Sequence, residues 1–271
     1  GLELGKMVLK IGHFNFSDED VEMSFDDLGM SSDGKEQNEV VNYTLQTQIG
    51  KLGLPKELTF GEKLDLGFVG NISFDRLDAE SLLALQTTAR QLHEKEDPMM
   101  LMVLFGQFTE LAPKLMAKSP EIALTQLAIK TPKGNLQGNL SVNLDGKKAT
   151  SLEIPALIPA LLAQTNFAIS RQLLEYALTT IITNNMQQEL EAMGEKLSEA
   201  DLAQLQQQAT TTSLQQISML VALNWLVNDG ENYKLAAEFK DGKLTLNGQE
   251  ISLPFIGTSA APDEEIGRAH V

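Results

Sequence analysis

The side chains that could carry chemistry are few and far apart in this chain. Histidine occurs three times, at His13, His93 and His270, and cysteine does not occur. A metal site or a proton relay needs several such groups in contact, and nothing in this spacing brings the histidines together. The absence of cysteine also excludes disulfides, thiolate nucleophiles and cysteine metal ligands. The sequence therefore predicts no metal and no cofactor, and each histidine is interpreted as a solvated or packed side chain.

An acidic cluster near the N-terminus is the other candidate for chemistry. Carboxylates crowd residues 18–27, beginning with Asp18-Glu19-Asp20. Calcium-binding loops space their oxygen ligands regularly around a central glycine, and this cluster has neither feature. The pattern favours a solvated turn and strand face over a weak calcium site.

Sequence motifs of common enzymes are missing. The chain has no Gly-x-Ser-x-Gly elbow, no P-loop and no Gly-x-Gly-x-x-Gly turn, which carry the nucleophile or cradle the phosphate in enzymes that use them. A pair of carboxylates for glycoside hydrolysis could be hidden among the 37 acidic residues, but no spacing selects two of them. The sequence therefore favours a protein without enzymatic activity, with an unrecognised hydrolase as the weaker alternative.

Composition and charge limit the partners. The 271 residues carry a formal net charge of −16, whereas proteins that bind nucleic acid present clustered Lys and Arg to the phosphates. We therefore expect no nucleic-acid partner. With 42% hydrophobic residues, the chain can bury a core for one large or two medium domains. No apolar run reaches the roughly 18 residues that cross a bilayer, and the start at Gly1 without Met indicates a soluble fragment.

Apolar residues recur at every second position through the first part of the chain. Over 64–74 one side of an extended segment is apolar and the other mostly polar; the apolar positions are Leu64, Leu66, Phe68, Gly70, Ile72 and Phe74. Because side chains alternate across a strand, this period predicts an antiparallel sheet with one apolar face. Residues 4–76 are interpreted as a meander of long strands. A second hairpin is predicted over 122–144, with Leu140 and Val142 on its apolar side.

The period changes to that of a helix after Asp78, which is expected to cap a helix over 79–94. A second helix is predicted from Asp97-Pro98 to about residue 118. Its segment 99–105 is apolar nearly all round, which favours burial in the core, with the lining of an apolar cavity as the alternative. From 154 to about 228 the chain is again predicted to be helical.

Runs of strands followed by runs of helices predict an α+β fold rather than a doubly wound one. We expect large, curved antiparallel sheet structure with a closing β-hairpin near the C-terminus. Helices in two blocks, about 78–118 and 154–228, are expected to pack on one face. Asp241-Gly242 and Asn247-Gly248 supply turn residues that accept positive φ.

Domain boundaries are marked more weakly than the elements. Residues 1–150 are expected to hold the β-meander, two helices and the second β-hairpin. Residues 151–257 are expected to hold a helical block whose closing hairpin returns to the sheet, and one continuous domain is the alternative. Residues 258–271 are polar and broken by proline, which indicates a disordered tail that is vector-derived at its end.

Three short blocks resemble, in order and spacing, the bacterial YdgA-like family of unknown function. They are ISFDRLD at 72–78, LAIKTPKG at 127–134 and, within 230–248, FKDGKLTLNG. The resemblance covers most of residues 4–254. It implies a protein exposed to the periplasm of Gram-negative bacteria and tethered to the inner membrane by an N-terminal anchor ahead of Gly1. No catalytic residues are established for that family, so the resemblance implies none here.

Two functions from different classes follow from these patterns. In the first, the apolar sheet face and the apolar helix segment hold an acyl chain or another hydrophobic ligand, as a looser resemblance to AsmA-like envelope proteins also implies. The candidate ligand-binding residues are Leu64, Leu66, Phe68, Met99, Met102, Phe105, Leu140 and Val142.

In the second function, the protein is a periplasmic scaffold or a self-associating domain without a small-molecule ligand. Glutamines on the wet helix faces would dock a partner protein; they are Gln187, Gln188, Gln204, Gln206, Gln207 and Gln208. An open apolar groove on the sheet would favour the lipid-binding function. An apolar sheet face that is buried beneath helices would favour the scaffold function.

Overall fold

Eleven strands form one sheet in the computed structural model, which describes residues 2, 4–17, 22–54, 64–94, 99–149, 151–194 and 197–252. The strands are β1 (Lys6–Ser17), β2 (Glu22–Gln37), β3 (Val40–Leu54), β4 (Leu64–Asp78), β5 (Glu121–Thr131), β6 (Gly134–Leu144), β7 (Leu161–Ser170), β8 (Val227–Asn228), β9 (Asn232–Lys240), β10 (Lys243–Leu246) and β11 (Gln249–Ile251). Hydrogen-bonded neighbours follow the order β1-β2-β3-β4-β5-β6-β7-β9-β10-β11, and β8 pairs with β9. Each of these pairs is antiparallel.

Tight turns join the closing strands as the sequence predicts. Asp241 and Gly242 between β9 and β10 have φ of 50° and 77°, and Asn247 and Gly248 between β10 and β11 have φ of 48° and 80°. Two-residue turns of this kind need positive φ at both central positions, and their twist matches that of the flanking strands. The predicted closing hairpin is therefore confirmed.

Five α-helices accompany the sheet in the described part of the chain: α1 (Ala79–Glu94), α2 (Met100–Ala117), α3 (Ile154–Leu157), α4 (Arg171–Ala192) and α5 (Glu199–Ala222). The pair α1 and α2 contacts β4, whereas α4 contacts β6, β7, β9 and its partner α5. Small residues let α4 and α5 approach closely. Ala209 and Ser213 on α5 are fully buried, and the Ser213 hydroxyl lies 2.9 Å from that of Thr179 on α4.

Asp78 ends β4 and caps α1, as predicted. Its Oδ1 accepts hydrogen bonds from the Ser81 backbone N–H at 2.9 Å and from the Ser81 hydroxyl at 2.6 Å. Burial of Asp78 raises the pKa of its carboxyl, but the two bonds from Ser81, with help from Lys118 and Lys114, outweigh burial and hold that pKa below its usual value. The carboxylate therefore stabilises the fold in its ionised form.

Replacing Asp78 by Ala should lower the free energy of unfolding by about 1 kcal/mol at pH 7, because the first turn of α1 loses its cap. The folded-state pKa lies below the unfolded value of about 3.9, so this stabilisation is present above pH 4 and is lost as pH falls through the folded-state pKa. Urea unfolding of the wild type and of Asp78→Ala at pH 7 and pH 3 measures the difference. Equal stabilities at pH 7 would contradict the capping role.

The predicted helical block over 154–228 is wrong in one important part. Residues 161–170 form β7, which pairs with β6 on one side and β9 on the other. Leu161, Leu162 and Ala163 have good helix propensity, but a strand that is hydrogen-bonded along both edges gains more than those small local preferences. The short strand β8 also lies inside the predicted block.

The α+β class and the large antiparallel sheet are confirmed. Strands from both predicted domains belong to this one sheet, because β6 pairs with β7. The division into 1–150 and 151–257 stays a prediction. The predicted tail, 258–271, and the acidic run Asp18-Glu19-Asp20 lie outside the described residues.

Candidate functional site

Cross-strand pairing aligns the apolar residues of successive strands in rows on one face of the sheet. Directly paired residues share a face, so each row can be followed from strand to strand. One row contains Ile11, Leu28, Ile49, Phe68, Ile129, Leu136, Ile169 and Tyr233. Another contains Met7, Ser32, Leu45, Ile72, Leu124, Leu140, Thr165 and Ala237. We call this side of the sheet the apolar face.

A group of large side chains on the apolar face is exposed. We call it the apolar patch; its members are Met7, Leu9, Met30, Leu45, Ile72, Ile122 and Leu140. They come from strands β1 to β6 and lie in adjacent rows. The exposed fraction is 67% for Met7, 52% for Ile122 and 39% for Leu140. Single exposed hydrophobic residues are ordinary, but a contiguous patch commonly marks a binding surface.

The predicted sheet residues come together on the apolar face. Leu66 and Phe68 on β4 and Val142 on β6 are half-buried, and Leu140 is exposed. Leu64 begins β4, and its side chain lies outside the described set. None of the four described side chains is fully buried, and Leu140 is the one among them that is exposed.

The predicted helix residues do not join the core. Met99, Met102 and Phe105 at the start of α2 are 51%, 66% and 71% exposed. The buried residues of α2 lie in its C-terminal half and are Ala112, Leu115 and Met116. The expectation that segment 99–105 is buried is therefore wrong: the fully buried residues of α2 lie in its C-terminal half, whereas Met100 and Leu104 in the N-terminal half are only half-buried and most of their neighbours are exposed.

Aromatic rings close gaps over glycines on the apolar face. The Phe68 ring covers Gly70 on the same strand, and the rings of Tyr43 and Phe167 lie against their cross-strand partners Gly34 and Gly138. A Cβ atom added to Gly138 would lie 2.1 Å from Phe167 Cδ1. Glycine at these positions lets the ring pack on the backbone, a known device for stabilising sheets.

The opposite face carries a row of uncharged polar side chains. We call it the amide row; its members are Ser31, Gln46, Asn71, Gln126, Asn139 and Asn166. Direct pairing links Ser31 through Gln46 and Asn71 to Gln126, and links Asn139 to Asn166; the irregularity in the pairing of β5 with β6 lies between these two groups. Two contacts link neighbours in the row. The Ser31 hydroxyl donates to Gln46 Oε1 at 3.3 Å, and Asn71 Nδ2 donates to Gln126 Oε1 at 2.9 Å.

Two grooves lie along the amide row. One, of about 650 Å³, runs over β5, β6, β7 and β9, and the other, of about 490 Å³, runs over β1 to β5. Gln126 lines both grooves, so they adjoin at the middle of the sheet. In the sequence these polar positions indicate only the solvated side of a sheet, and no local signal predicts that they form a row.

Charge is absent from the amide row and from the middle of the row beside it, although Lys130 on β5 lies on the same face one row farther on. The row beside the amide row consists of Lys10, Gly29, Gln48, Val69, Ala128, Gln137, Ala168 and Lys234, so its only charges are at the two ends. The whole chain has 21 basic and 37 acidic residues. A ligand lying along the amide row would therefore meet mainly neutral amides, hydroxyls and small apolar side chains, with Lys6 and Lys10 at the β1 end of the smaller groove and Lys234 at the β9 end of the larger one.

The described residues contain no group of three or more potential ligands that could hold a metal ion. His13 contacts Asp26 at an exposed position between β1 and β2, and His93 lies in the last turn of α1. The structure thus keeps these histidines apart, and His270 lies outside the described part. None of the helices described there is long and apolar enough to cross a bilayer.

A family described as "Bacterial protein of unknown function (DUF945)" matches residues 1–254, nearly the whole chain. No curated protein matches the sequence.

Proposed function

The chain belongs to this bacterial family of unknown function, and we propose that it is a non-enzymatic cell-envelope protein that binds the acyl chain of a lipid on its apolar patch. The resemblance to YdgA-like proteins supports a position in the periplasm and a tether to the inner membrane. The looser likeness to AsmA-like proteins supports a lipid as the ligand.

The exposure of the apolar patch is the observation that carries the proposal. Burial of apolar surface stabilises a complex by about 25 cal/mol per Å² of surface removed from water. A contiguous apolar surface that stays exposed promotes aggregation, so its presence commonly marks a binding site. Ile72 on β4 and Leu140 on β6 lie in the same row, and Ile122 on β5 lies in the adjacent row. All three side chains are exposed. A flexible acyl chain lying across them would contact several of these side chains at once.

Helix α2 supplies a second apolar surface. Leu101, Met102, Phe105 and Phe108 in its N-terminal half are all exposed, and methionine adapts readily to ligands of variable shape. Because these four side chains are exposed, they could contact a lipid or the membrane from which the lipid comes.

A fluorescent fatty acid tests the proposal directly. Delipidated protein is titrated with cis-parinaric acid, and we expect saturable fluorescence enhancement that unlabelled palmitate displaces. Native mass spectrometry of protein purified without detergent should show an added mass of a lipid. Absence of both the enhancement and the added mass would exclude the acyl-chain ligand.

A scaffold without a ligand is the second candidate function. It is favoured by the exposed glutamine run on α5, where Gln204, Gln206, Gln207 and Gln208 all face solvent. Amide side chains of this kind can donate and accept hydrogen bonds across an interface. Crosslinking in envelope preparations that captures a second copy or a defined partner, together with no fatty-acid binding, would favour the scaffold.

A further inference from the structure

We propose that the grooves along the amide row bind a neutral glycan chain, laid across the strands on the face opposite the apolar patch. This site is separate from the proposed lipid surface, because side chains of the two faces point to opposite sides of the sheet.

Hydrogen-bonding capacity is the first argument. Among the described residues, the side chains of Gln48, Gln137, Asn139 and Asn166 make no hydrogen bond, and all four are exposed. Each carboxamide offers two donors and one acceptor. Sugar hydroxyls are also both donors and acceptors, so an amide can bond adjacent hydroxyls of one ring without any charge on either side.

Neutrality is the second argument. The amide row has no ionised side chain from β2 to β7, although the protein as a whole carries a net charge of −16. An anionic ligand would find no cation along the amide row itself, since the lysines that line the grooves stand at their outer ends, Lys6 and Lys10 on β1 and Lys234 on β9. A cationic ligand would find no carboxylate in either row. The matching ligand is therefore polar and uncharged.

The spacing of the side chains is the third argument. Neighbouring strands lie about 4.8 Å apart, which is close to the length of one pyranose ring, so successive strands present successive amides to successive sugars. Small apolar residues lie between the amides, namely Val69, Ala128 and Ala168, with Val227 at the β8 end of the larger groove. They suit the C–H faces of sugar rings, which are apolar.

An extended peptide fits this face less well. Peptides that join a sheet do so at an edge, where unpaired backbone groups accept them. The smaller groove reaches the edge strand β1, but the larger groove lies over β5, β6, β7 and β9, whose backbone groups are already used by strands on both sides. Only side chains are available there, and they match hydroxyl groups.

Oligosaccharide titrations test the proposal. The probes are cellohexaose, chitohexaose and maltohexaose, added to ¹⁵N-labelled protein while the side-chain NH₂ resonances of Asn139, Asn166 and Gln137 are followed. We expect at least one probe to shift these resonances in a saturable manner. Asn139→Ala and Asn166→Ala should each weaken that binding about fivefold through the loss of one hydrogen bond.

A matched variant on the other face separates this site from the lipid site. Leu140→Asp should keep the oligosaccharide affinity and weaken fatty-acid binding, whereas Asn139→Ala should weaken oligosaccharide binding and keep the fatty-acid affinity. The glycan proposal is overturned if none of the three probes shifts the amide resonances at millimolar concentration, or if Asn139→Ala and Asn166→Ala bind like the wild type. It is equally overturned if a neutral Gly-Ser repeat peptide shifts these resonances and the sugars do not.

Discussion

Leu140→Asp is expected to weaken the binding of cis-parinaric acid by roughly tenfold or more, because it removes a leucine contact and adds a charge to the apolar patch beside Ile72 and Ile122. Leu140 is 39% exposed, so the substitution should change the free energy of unfolding by no more than about 1 kcal/mol. Fluorescence titration of folded protein, with circular dichroism as the check on folding, measures the effect.

Asn139→Asp is the matched control for that variant. It introduces the same charge one residue earlier on β6, where the side chain points to the amide face. Fatty-acid binding should therefore stay at the wild-type level. If both variants lose binding equally, the loss reflects damage to β6 and the apolar patch is not the ligand surface; if neither loses it, the fatty acid binds elsewhere.

Gly138→Ala should lower the free energy of unfolding by about 2 to 3 kcal/mol, the upper range for overpacking. The added Cβ would lie 2.1 Å from Phe167 Cδ1 and 2.7 Å from the Asn166 backbone oxygen. The ring can turn only in part, and the backbone oxygen belongs to the pairing between β6 and β7. Relief of the clash therefore has to distort the strand pair itself.

Gly106→Ala gives the opposite expectation and serves as the control. No atom lies within 4 Å of a Cβ at Gly106, and alanine in a helix interior is more stable than glycine by about 0.5 to 1 kcal/mol. Urea denaturation should show Gly138→Ala unfolding at lower urea than the wild type and Gly106→Ala at the same or higher urea. An unchanged midpoint for Gly138→Ala would show that Phe167 does not pack on Gly138.

Gly138→Ala/Phe167→Ala tests the same contact from the other side. Each single substitution is destabilising, but the clash cannot form once the ring is removed. The double variant should thus be more stable than the sum of the two single effects predicts, as expected for residues in direct contact. Additive effects would contradict that contact.

Several elements were predictable because their signals are local. The alternation of apolar residues in β4 and β6 predicts an extended backbone. The Asp-Gly and Asn-Gly pairs predict turns with positive φ, and Asp78 predicts the start of a helix. Each signal depends on residues a few positions apart. For this reason the α+β class, the closing hairpin and the cap of α1 agree with the structure.

Other features needed the assembled sheet. The local sequence of β7 suits a helix, and only its pairing with β6 and with the distant β9 makes it a strand. The sequence of segment 99–105 shows that the start of α2 is apolar nearly all round, but not which part of the helix another element covers.

The amide row depends on register as well as on composition. Irregularities in the pairing near Asn71 and between Leu124 and Leu127 shift β5 against its neighbours, and this shift decides which amides stand side by side. Periodicity within a strand follows from bond geometry over neighbouring residues. Which surfaces are covered by other elements, and which residues stand side by side on neighbouring strands, depends on contacts between residues far apart in the chain. Only the folded structure therefore reveals the exposed apolar patch and the grooves on the opposite face of the sheet.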